Sequence, residues 1–267
     1  MPDPDPSALA AIRAHQAFVC DMDGVIYHGN RLLPGVGEFV AWLQAQERPF
    51  LFLTNSSQRS PRELRGKLRR LGMDVSEDHF HTSALATASF LADQKPGGSC
   101  YVIGDAGLIN ALYEAGLSTD DVDPDWVVVG ETRSYSFEKI EHAIRLVLRG
   151  ARLIGTNPDA TGPSEEGISP ACGSLCAPIE MATGRTAYYV GKPNPLMMRH
   201  ALKRLGMRRE DTVIIGDRMD TDIVAGVESE ISTVLVLTGV TSEAEVIRFP
   251  YRPDHILDGI ADLLIGL

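Results

Sequence analysis

Residues 17–24 read AFVCDMDG, and this short stretch is the strongest indication of the architecture. Its first four residues are apolar and predict a buried β-strand that ends at Asp21. Asp23 follows two residues later, and Gly24 predicts a turn at that point. In open parallel sheets, ligands bind beyond the carboxyl ends of the strands. Further functional residues are therefore expected where the other strands end.

Short apolar runs alternate with amphipathic stretches along the rest of the chain. Residues 50–53 (FLFL) predict a second strand, and the segment after Ser60 and Pro61 predicts a helix whose capping box Glu63 can complete. Gly72 predicts the end of this helix. The further predicted strands lie at residues 101–103, 126–129, 153–154, 187–190, 213–215 and 234–237. This alternation predicts an α/β protein with a mainly parallel sheet.

Four of the predicted strands end in acids, a hydroxyl group or a lysine. The residues that follow them are, in chain order, Asp21 and Asp23, Thr54 and Asn55, Lys192, and residues 216–222 (GDRMDTD). Taken singly, a lone Asp-Gly is usually a turn, and acids such as Asp220 and Asp222 can simply favour a helix N-terminus. Their occurrence together at successive strand ends indicates a functional site.

These residue types suit the chemistry of phosphate esters. A carboxylate such as Asp21 can attack phosphorus and form an aspartyl-phosphate. Acids at two strand ends, Asp21 and Asp217, can hold Mg²⁺, and Lys192 supplies positive charge for the phosphoryl oxygens. The Thr54 hydroxyl is a neutral donor. Asp23 can protonate the leaving oxygen and later activate water.

The quoted residues resemble the motifs of the haloacid dehalogenase superfamily in its phosphatase branch. The matching elements are a hydrophobic strand followed by DxDG, a threonine at a strand end, a lysine, and GDxxxTD. The chain also resembles the NagD-like phosphatases in longer segments, from about Phe18 onward. These segments read DGVIYHG, TNSS, VGETRSYSFEKI, TNPD, PACGSLCAPIE and VGKPNP.

The resemblance implies a role for each residue of the catalytic set. Asp21 is expected to be the nucleophile and a Mg²⁺ ligand, and Asp23 the acid/base, with its backbone carbonyl on the metal. Asp217 is expected to be the third protein ligand of the metal, and Asp222 to support metal-bound water or Lys192.

The substrate-binding residues implied by the resemblance lie at three of these strand ends. Thr54, Asn55 and Lys192 are expected to bind the phosphoryl group together with Asp23. The turn that lies beside the substrate is expected to comprise Arg218, Met219, Asp220 and Thr221. An acid at the position of Asp23 favours hydrolysis of the phospho-enzyme over its storage.

The resemblance also implies a HAD-like doubly wound parallel sheet core with an inserted second α/β cap domain. The core is expected at residues 1–83 and 187–267, and the cap at 84–186. A cap can exclude water and select the leaving group. Within it, the polar loop at 156–170 contains Asn157 and Asp159 as candidate substrate contacts, although an exposed, mobile loop is an equally good interpretation. Glu165 and Glu166 in this loop are expected to be solvated.

Composition and charge narrow the class of partner and the location. The 267 residues carry a formal net charge of -11, which argues against nucleic acid and against an anionic membrane surface. No apolar run is long enough to span a bilayer, and the segment PDPDPS after Met1 does not resemble a signal peptide. Four scattered cysteines without a signal sequence predict reduced thiols and a cytoplasmic location. Cys172 and Cys176 are expected to share one face of a packed helix.

The substrate and the assembly state stay open at this level. The resemblance suggests nucleoside 5'-monophosphates such as UMP, with glycerol phosphate, phosphoglycolate or pyridoxal phosphate as alternatives. It allows a monomer or a homodimer formed through the cap.

Three other classes of protein are alternatives to a phosphatase. A phospho-acceptor signalling domain would place its acceptor in a middle strand of a shorter chain. A dinucleotide-binding protein would carry GxGxxG after a strand, a motif that this sequence lacks. A phosphomutase of the same superfamily usually has a smaller helical cap.

Overall fold

The computed structural model describes residues 5–164 and 167–267, so Glu165 and Glu166 lie outside the described residues. The chain divides into two compact units. Unit 1 comprises Met1–Thr54, Arg65–His81 and Met197–Leu267, and unit 2 comprises Asn55–Leu64 and Thr82–Leu196. The core and cap boundaries at 83/84 and 186/187 stay a prediction.

Strands and α-helices alternate along most of the chain. The strands are β1 (Ala17–Asp21), β2 (Tyr27–His28), β3 (Arg31–Leu32), β4 (Phe50–Thr54), β5 (Phe80–Thr82), β6 (Ser99–Ile103), β7 (Ser118–Thr119), β8 (Trp126–Val129), β9 (Arg152–Gly155), β10 (Thr161–Ser164), β11 (Gly167–Pro170), β12 (Tyr188–Tyr189), β13 (Thr212–Gly216), β14 (Ser232–Val236) and β15 (His255–Leu257). The α-helices are α1 (Pro6–Ala14), α2 (Val36–Ala45), α3 (Pro61–Arg70), α4 (Ser83–Gln94), α5 (Ala106–Glu114), α6 (Phe137–Arg149), α7 (Cys172–Thr183), α8 (Pro195–Leu205), α9 (Val224–Glu228) and α10 (Glu243–Val246). A π-helical turn covers Met219–Ile223.

The main sheet of unit 1 has the strand order β15-β14-β13-β1-β4-β5. The pairs β15–β14, β14–β13, β13–β1 and β1–β4 are parallel. After β1 the chain adds β4 and β5 on one side of the sheet. It then returns to β13, which lies beside β1 on the other side, and adds β14 and β15. The topological switch point, where an open α/β sheet forms its ligand crevice, therefore lies between β1 and β13.

The main sheet of unit 2 has the order β12-β9-β8-β6-β7, and its pairs are parallel. After β6 the chain adds β7 on one side. It then returns to β8, which lies beside β6 on the other side, and adds β9 and β12. A second switch point therefore lies between β6 and β8. Both units are thus doubly wound α/β sheets, as the predicted fold class requires.

The strands predicted from apolar runs are confirmed within one or two residues at each end for β1, β4, β8 and β13. The capping box of α3 is also present, since Glu63 accepts a hydrogen bond from the Ser60 amide at 2.8 Å. The short strands β5 and β15 were not predicted, because three residues are too few to show a period of two. In the segment expected to be a loop at 156–170, Thr161 pairs with Pro170 in an antiparallel ladder.

Each unit has a core of its own. In unit 1, Phe18 makes edge-on contacts with Phe39 and Trp42, with ring centroids 5.7 Å apart in both pairs. In unit 2, Cys172 and Cys176 lie in α7 and pack with the β8 side chains, which confirms the predicted helix face. All four cysteines are free and buried. Within the described ranges, none of the helices combines the length and apolarity needed to cross a bilayer.

Candidate active site

Three carboxylates converge at the switch point of unit 1. Asp21 is the last residue of β1, Asp217 follows β13, and Asp222 lies in the π-helical turn. Oxygen atoms from these three side chains lie within 4.8 Å of one another. Asp217 and Asp222 are buried, at 2% and 0% exposure. Like charges so close together repel one another, so a bound cation would stabilise the group.

The Asp217 carboxylate is fixed by the loop that follows β14. The amide of Val240 donates to Asp217 Oδ2 at 2.8 Å, and the amide of Thr241 donates to the Asp217 carbonyl at 3.0 Å. Two glycines give the side chain its room. A Cβ on Gly239 would lie 1.9 Å from Asp217 Oδ2, and one on Gly24 would lie 2.6 Å from it. Gly24 also has a φ of +83°, which favours glycine for a second reason.

Asp23 lies in a tight turn directly after β1. The Met22 carbonyl accepts hydrogen bonds from the amides of Ile26 and Tyr27, and the Gly24 amide donates to the Tyr27 carbonyl at 2.8 Å. Asp23 itself is partly exposed. The turn therefore returns the chain within a few residues and holds Asp23 near the end of the strand that carries Asp21.

Three of the residues predicted to lie beside the substrate, Met219, Asp220 and Thr221, lie in the π-helical turn after β13, and Arg218 precedes it. The amide of Arg218 donates to Asp222 Oδ2 at 3.2 Å, and its guanidinium pairs with Asp220 at 2.8 Å. Although partial burial favours the neutral acid, the hydrogen bonds and charge of Arg218 hold the pKa of Asp220 below its usual value. Met219 is fully buried in an apolar cluster, and Thr221 is 5% exposed. Their contacts with substrate stay a prediction.

A hydrogen-bonded group in unit 2 contains four of the other predicted residues, Asn55, Asn157, Asp159 and Lys192. The Asn55 side-chain amide donates to Asp159 Oδ2 at 2.8 Å and to the Lys192 carbonyl at 2.9 Å. The Asn157 side-chain amide donates to the Asn55 carbonyl at 2.7 Å. Lys192 is 2% exposed and Asn157 is fully buried. Asn157 and Asp159 thus position Asn55, while their predicted contact with substrate stays untested. Thr54, which ends β4, is 6% exposed and precedes Asn55 in the chain.

Glu131 and Ser57 join this group and were missed in the sequence. Glu131 accepts hydrogen bonds from the Ser57 amide at 2.8 Å and from the Asn157 side chain at 2.6 Å. Burial raises the pKa of Glu131, although the hydrogen bonds from Ser57 and Asn157 act in the opposite direction. The signal was available, because Gly130 and Glu131 directly follow the predicted strand at 126–129.

The donor set at the switch point of unit 1 fits a hard divalent cation. Asp21, Asp217 and Asp222 supply carboxylate oxygens, which are the ligands that Mg²⁺ and similar cations prefer in proteins. The identity of the metal does not follow from the carboxylates alone.

A doubly wound sheet with an acid cluster at its switch point is the architecture of the haloacid dehalogenase-like hydrolases. A family model with this description matches residues 18–118, and a related HAD-hydrolase-like model matches residues 189–263. The chain belongs to this family, in its NagD-like phosphatase group, and it is a phosphoric monoester hydrolase.

Relatives from bacteria cover nearly the whole chain. It is 49% identical to a dihydroxyacetone phosphatase of Corynebacterium glutamicum over 92% of this chain and 90% of the relative. It is 43% identical to the ribonucleotide monophosphatase NagD of Escherichia coli K12, over 92% and 96%. The solved structure of that NagD superposes with a TM-score of 0.89 at 42% identity, covering 93% of this chain and 98% of that one. A 4-nitrophenylphosphatase of Thermotoga maritima gives 0.91 at 33% identity, covering 94% and 97%.

Proposed function

We propose that this protein is a Mg²⁺-dependent phosphatase that hydrolyses small phosphate monoesters through a phospho-aspartate on Asp21. The observation that carries the proposal is the cluster of three carboxylates at the switch point of unit 1. A carboxylate in such a cluster can serve as a nucleophile only if the charge around it is compensated. Asp21, Asp217 and the Asp23 carbonyl would hold the metal, and Asp222 would support it.

In the first step a carboxylate oxygen of Asp21 attacks phosphorus, and the bond from phosphorus to the ester oxygen breaks. Asp23, in its protonated form, gives its proton to the departing oxygen, so the alcohol leaves as a neutral molecule. Thr54, Asn55 and Lys192 bind the phosphoryl oxygens, and Lys192 offsets their negative charge.

In the second step Asp23, now ionised, takes a proton from a water molecule that attacks phosphorus. The bond between the phosphoryl group and Asp21 breaks, inorganic phosphate leaves, and Asp21 is regenerated as a carboxylate. Bound Mg²⁺ supplies positive charge that lets an anionic nucleophile approach an anionic ester.

Two substrate classes are supported by different observations. Nucleoside 5'-monophosphates such as UMP are favoured by the resemblance to NagD, which is named as a ribonucleotide monophosphatase, and by a 5'-nucleotidase of Bacillus subtilis at 35% identity. Dihydroxyacetone phosphate is favoured by the relative at 49% identity. We propose nucleoside 5'-monophosphates first and the triose phosphate second. The cytoplasmic location, the cap-mediated homodimer and the monomer stay predictions.

The test is phosphate release from a panel of monoesters with and without Mg²⁺. The panel contains UMP, GMP, AMP, dihydroxyacetone phosphate, glycerol phosphate, phosphoglycolate and pyridoxal phosphate. We expect Mg²⁺-dependent release by the wild type, none by Asp21→Asn, and normal release by Asp258→Asn, a control at an exposed acid of unit 1. Absence of release from every ester would contradict the proposal, and a stable phospho-protein would then favour a phospho-acceptor function.

A further inference from the structure

The switch point of unit 2 is not vacant. In a doubly wound sheet, the crevice beyond the strands on either side of the switch point is where a ligand binds. In unit 2 those strands are β6 and β8, and Glu131 lies two residues past the end of β8. The helix α5, which follows β6, begins at Ala106 beside the same crevice.

The chain's own residues 55–59 fill this crevice. The amide of Ser57 donates to Glu131 Oε2 at 2.8 Å, its hydroxyl donates to the same oxygen, and the Glu131 amide donates to Ser57 Oγ at 3.0 Å. On the α5 side, the Gly107 amide donates to the Gln58 carbonyl at 3.1 Å. The segment therefore takes the place that a nucleotide or another ligand occupies in sheets of this type.

Two glycines allow the segment to lie so close. A Cβ on Gly130 would lie 2.6 Å from Ser57 Oγ, and a Cβ on Gly107 would lie 2.6 Å from the Gln58 carbonyl oxygen. Ser57 itself is fully buried. Fit of this kind, with donors and acceptors matched on both sides, indicates one defined conformation for residues 55–59.

A chain of hydrogen bonds runs from Glu131 to the residues that are proposed to bind phosphate. Glu131 Oε1 accepts from the Asn157 side chain, which also donates to the Asn55 carbonyl. The Asn55 side chain in turn donates to the Lys192 carbonyl. Glu131 thus holds Ser57 directly and holds Asn55 and Lys192 through Asn157.

We propose that Glu131 is a positioning residue of the phosphoryl-transfer reaction, which fixes Asn55 and the main chain after Thr54 by binding Ser57 and Asn157. The proposal rests on the proposed binding of the phosphoryl group by Thr54, Asn55 and Lys192. Because Glu131 acts through groups that bind the part common to all substrates, its loss affects every phosphate monoester alike.

The carboxylate form is suited to this task because it only accepts hydrogen bonds. Its two oxygens face three donors, two from Ser57 and one from Asn157. In Glu131→Gln one oxygen becomes an amide group, which must face a donor whichever way it is turned. Glu131→Asp keeps the acceptors but is one methylene shorter. The glutamine variant should therefore be the more damaging of the two, although it differs less in size.

The test compares these two variants in steady-state kinetics with p-nitrophenyl phosphate and with UMP, and measures inhibition by inorganic phosphate. We expect Glu131→Gln to lower kcat/KM roughly 10- to 100-fold, by similar factors for both esters, because a misplaced binding group costs about this much. The Ki for phosphate should rise in parallel, and Glu131→Asp should recover part of both quantities.

Two controls in unit 2 separate positioning from general damage. Glu141→Gln removes an exposed carboxylate that pairs with Arg145, and it should leave the kinetics unchanged. Ile179→Val makes a small cavity at a fully buried position, so it should lower the unfolding temperature while preserving kcat/KM and the Ki for phosphate. If Glu131→Gln does not fold, as judged by circular dichroism, Ser57→Ala takes its place with an expected loss of about 3- to 10-fold.

The outcomes are distinct. If the wild type releases no phosphate in an Asp21-dependent way, the proposed function fails and this inference fails with it. If the wild type is active but Glu131→Gln and Ser57→Ala keep its kcat/KM and its Ki for phosphate, only this inference is overturned. A loss confined to UMP would also overturn it, because Glu131 would then select the leaving group. An equal loss of kcat/KM in Ile179→Val, at the same stability as Glu131→Gln, would overturn it as well, because the loss would then come from general destabilisation of unit 2.

Discussion

The two units have parallel sheets with the same kind of switch point, but the groups gathered there differ in charge. In unit 1 the crevice between β1 and β13 contains Asp21, Asp217 and Asp222, whose oxygens lie within 4.8 Å of one another. In unit 2 the crevice between β6 and β8 contains Glu131, and its carboxylate accepts hydrogen bonds from Ser57 and Asn157. The three carboxylates of the first set repel one another. The second set is matched, so it gives a fixed structure.

Glycine has the same use in both crevices. Gly239 leaves room for the Asp217 carboxylate, and Gly130 leaves room for the Ser57 hydroxyl. In each case a methyl group would occupy the place of a polar atom that the crevice needs. The topological rule thus locates both crevices, and the balance of donors and acceptors is expected to make one of them catalytic and the other structural.

The largest expected effect is at Asp21, the proposed nucleophile in unit 1. Asp21→Asn keeps the size of the side chain but removes the nucleophilic oxygen pair, so we expect phosphate release to fall roughly 10⁴-fold or more. The measurement is kcat with UMP and with p-nitrophenyl phosphate, alongside a circular dichroism spectrum to confirm folding. A variant that retained a tenth of the wild-type rate would contradict the assignment of Asp21 as the nucleophile and with it the contrast between the two crevices.

The next effect concerns the charge imbalance in unit 1. Mg²⁺ should raise the unfolding temperature of the wild type, because a ligand that binds the folded state stabilises it. At a concentration 100 times its Kd, such a ligand adds about 2.7 kcal/mol to the free energy of unfolding. Asp217→Asn should abolish most of this shift and should also stabilise the metal-free protein, because it relieves repulsion with Asp21 and Asp222. The measurement is a thermal melt with and without Mg²⁺, with Asp258→Asn as the matched control. An equal Mg²⁺ shift in Asp217→Asn would contradict the assigned site.

A pair of alanine substitutions tests the two crevices against each other. In Gly239→Ala the new methyl group would lie 1.9 Å from Asp217 Oδ2, so the carboxylate must move, and we expect the Mg²⁺ concentration for half-maximal activity to rise roughly 10-fold or more. In Gly130→Ala the methyl group would displace Ser57, so we expect kcat/KM to fall about 3- to 10-fold with an unchanged Mg²⁺ requirement.

The control for this pair is Gly37→Ala in α2, where a Cβ would meet nothing within 4 Å. It should match the wild type in both quantities. An altered Mg²⁺ requirement in Gly130→Ala would contradict the expectation that the crevice of unit 2 has no part in metal binding.

The smallest expected effect is on stability and concerns a buried titratable group outside both crevices. His81 in β5 is 5% exposed, and among the described residues neither of its ring nitrogens has a hydrogen-bond partner. Burial, together with the positive charges of Arg204 and His200, lowers its pKa from 6.5 to about 3. Glu131, in contrast, is held by three donors. His81 and Glu131 are thus both buried, but only Glu131 has hydrogen-bond donors matched to its polar atoms.

The sign of the pH effect follows from this shift. Between pH 6.5 and about 3 the unfolded state binds more protons at His81 than the folded state does, so stability rises with pH and is lost on acidification. From pH 7.5 to 5.5 the wild type should lose about 1.4 kcal/mol relative to His81→Leu. Urea unfolding of both proteins at the two pH values measures this difference. If the free energies of unfolding of the two proteins differ by the same amount at both pH values, His81 has the same pKa in the folded and the unfolded state.

The sequence located most of the candidate site because one simple rule applied. Asp21, Thr54 and Asp217 directly follow apolar runs long enough to be recognised as strands, and the structure has strands there. The convergence of Asp21 with Asp217 was predictable too, since neighbouring parallel strands end at the same edge. The roles of these residues in catalysis stay a prediction until they are tested.

The crevice of unit 2 could not be predicted in the same way. Its partners, Ser57 and Glu131, are 74 residues apart and belong to different stretches of apparent structure. A pattern of apolar residues indicates strands, but it does not indicate which loop fills which crevice, because that depends on long-range packing. Asn157 illustrates the point, since its hydrogen bonds to Asn55 and Glu131 could not be inferred from its position after β9, and its contact with substrate stays a prediction.

The segment at residues 55–59 also bears on how such a protein could have been assembled. Unit 2 consists of two stretches of chain, Asn55–Leu64 and Thr82–Leu196, and Ser57 lies in the shorter one. If the stretch Thr82–Leu196 alone were moved into another protein, the Glu131 carboxylate would lose Ser57 as a hydrogen-bond partner and the crevice would be open. Transfer of unit 2 to another protein should therefore need both stretches, or a loop of that protein with a small hydroxyl residue at the position of Ser57. Recombination between relatives should succeed more often when both stretches come from the same parent.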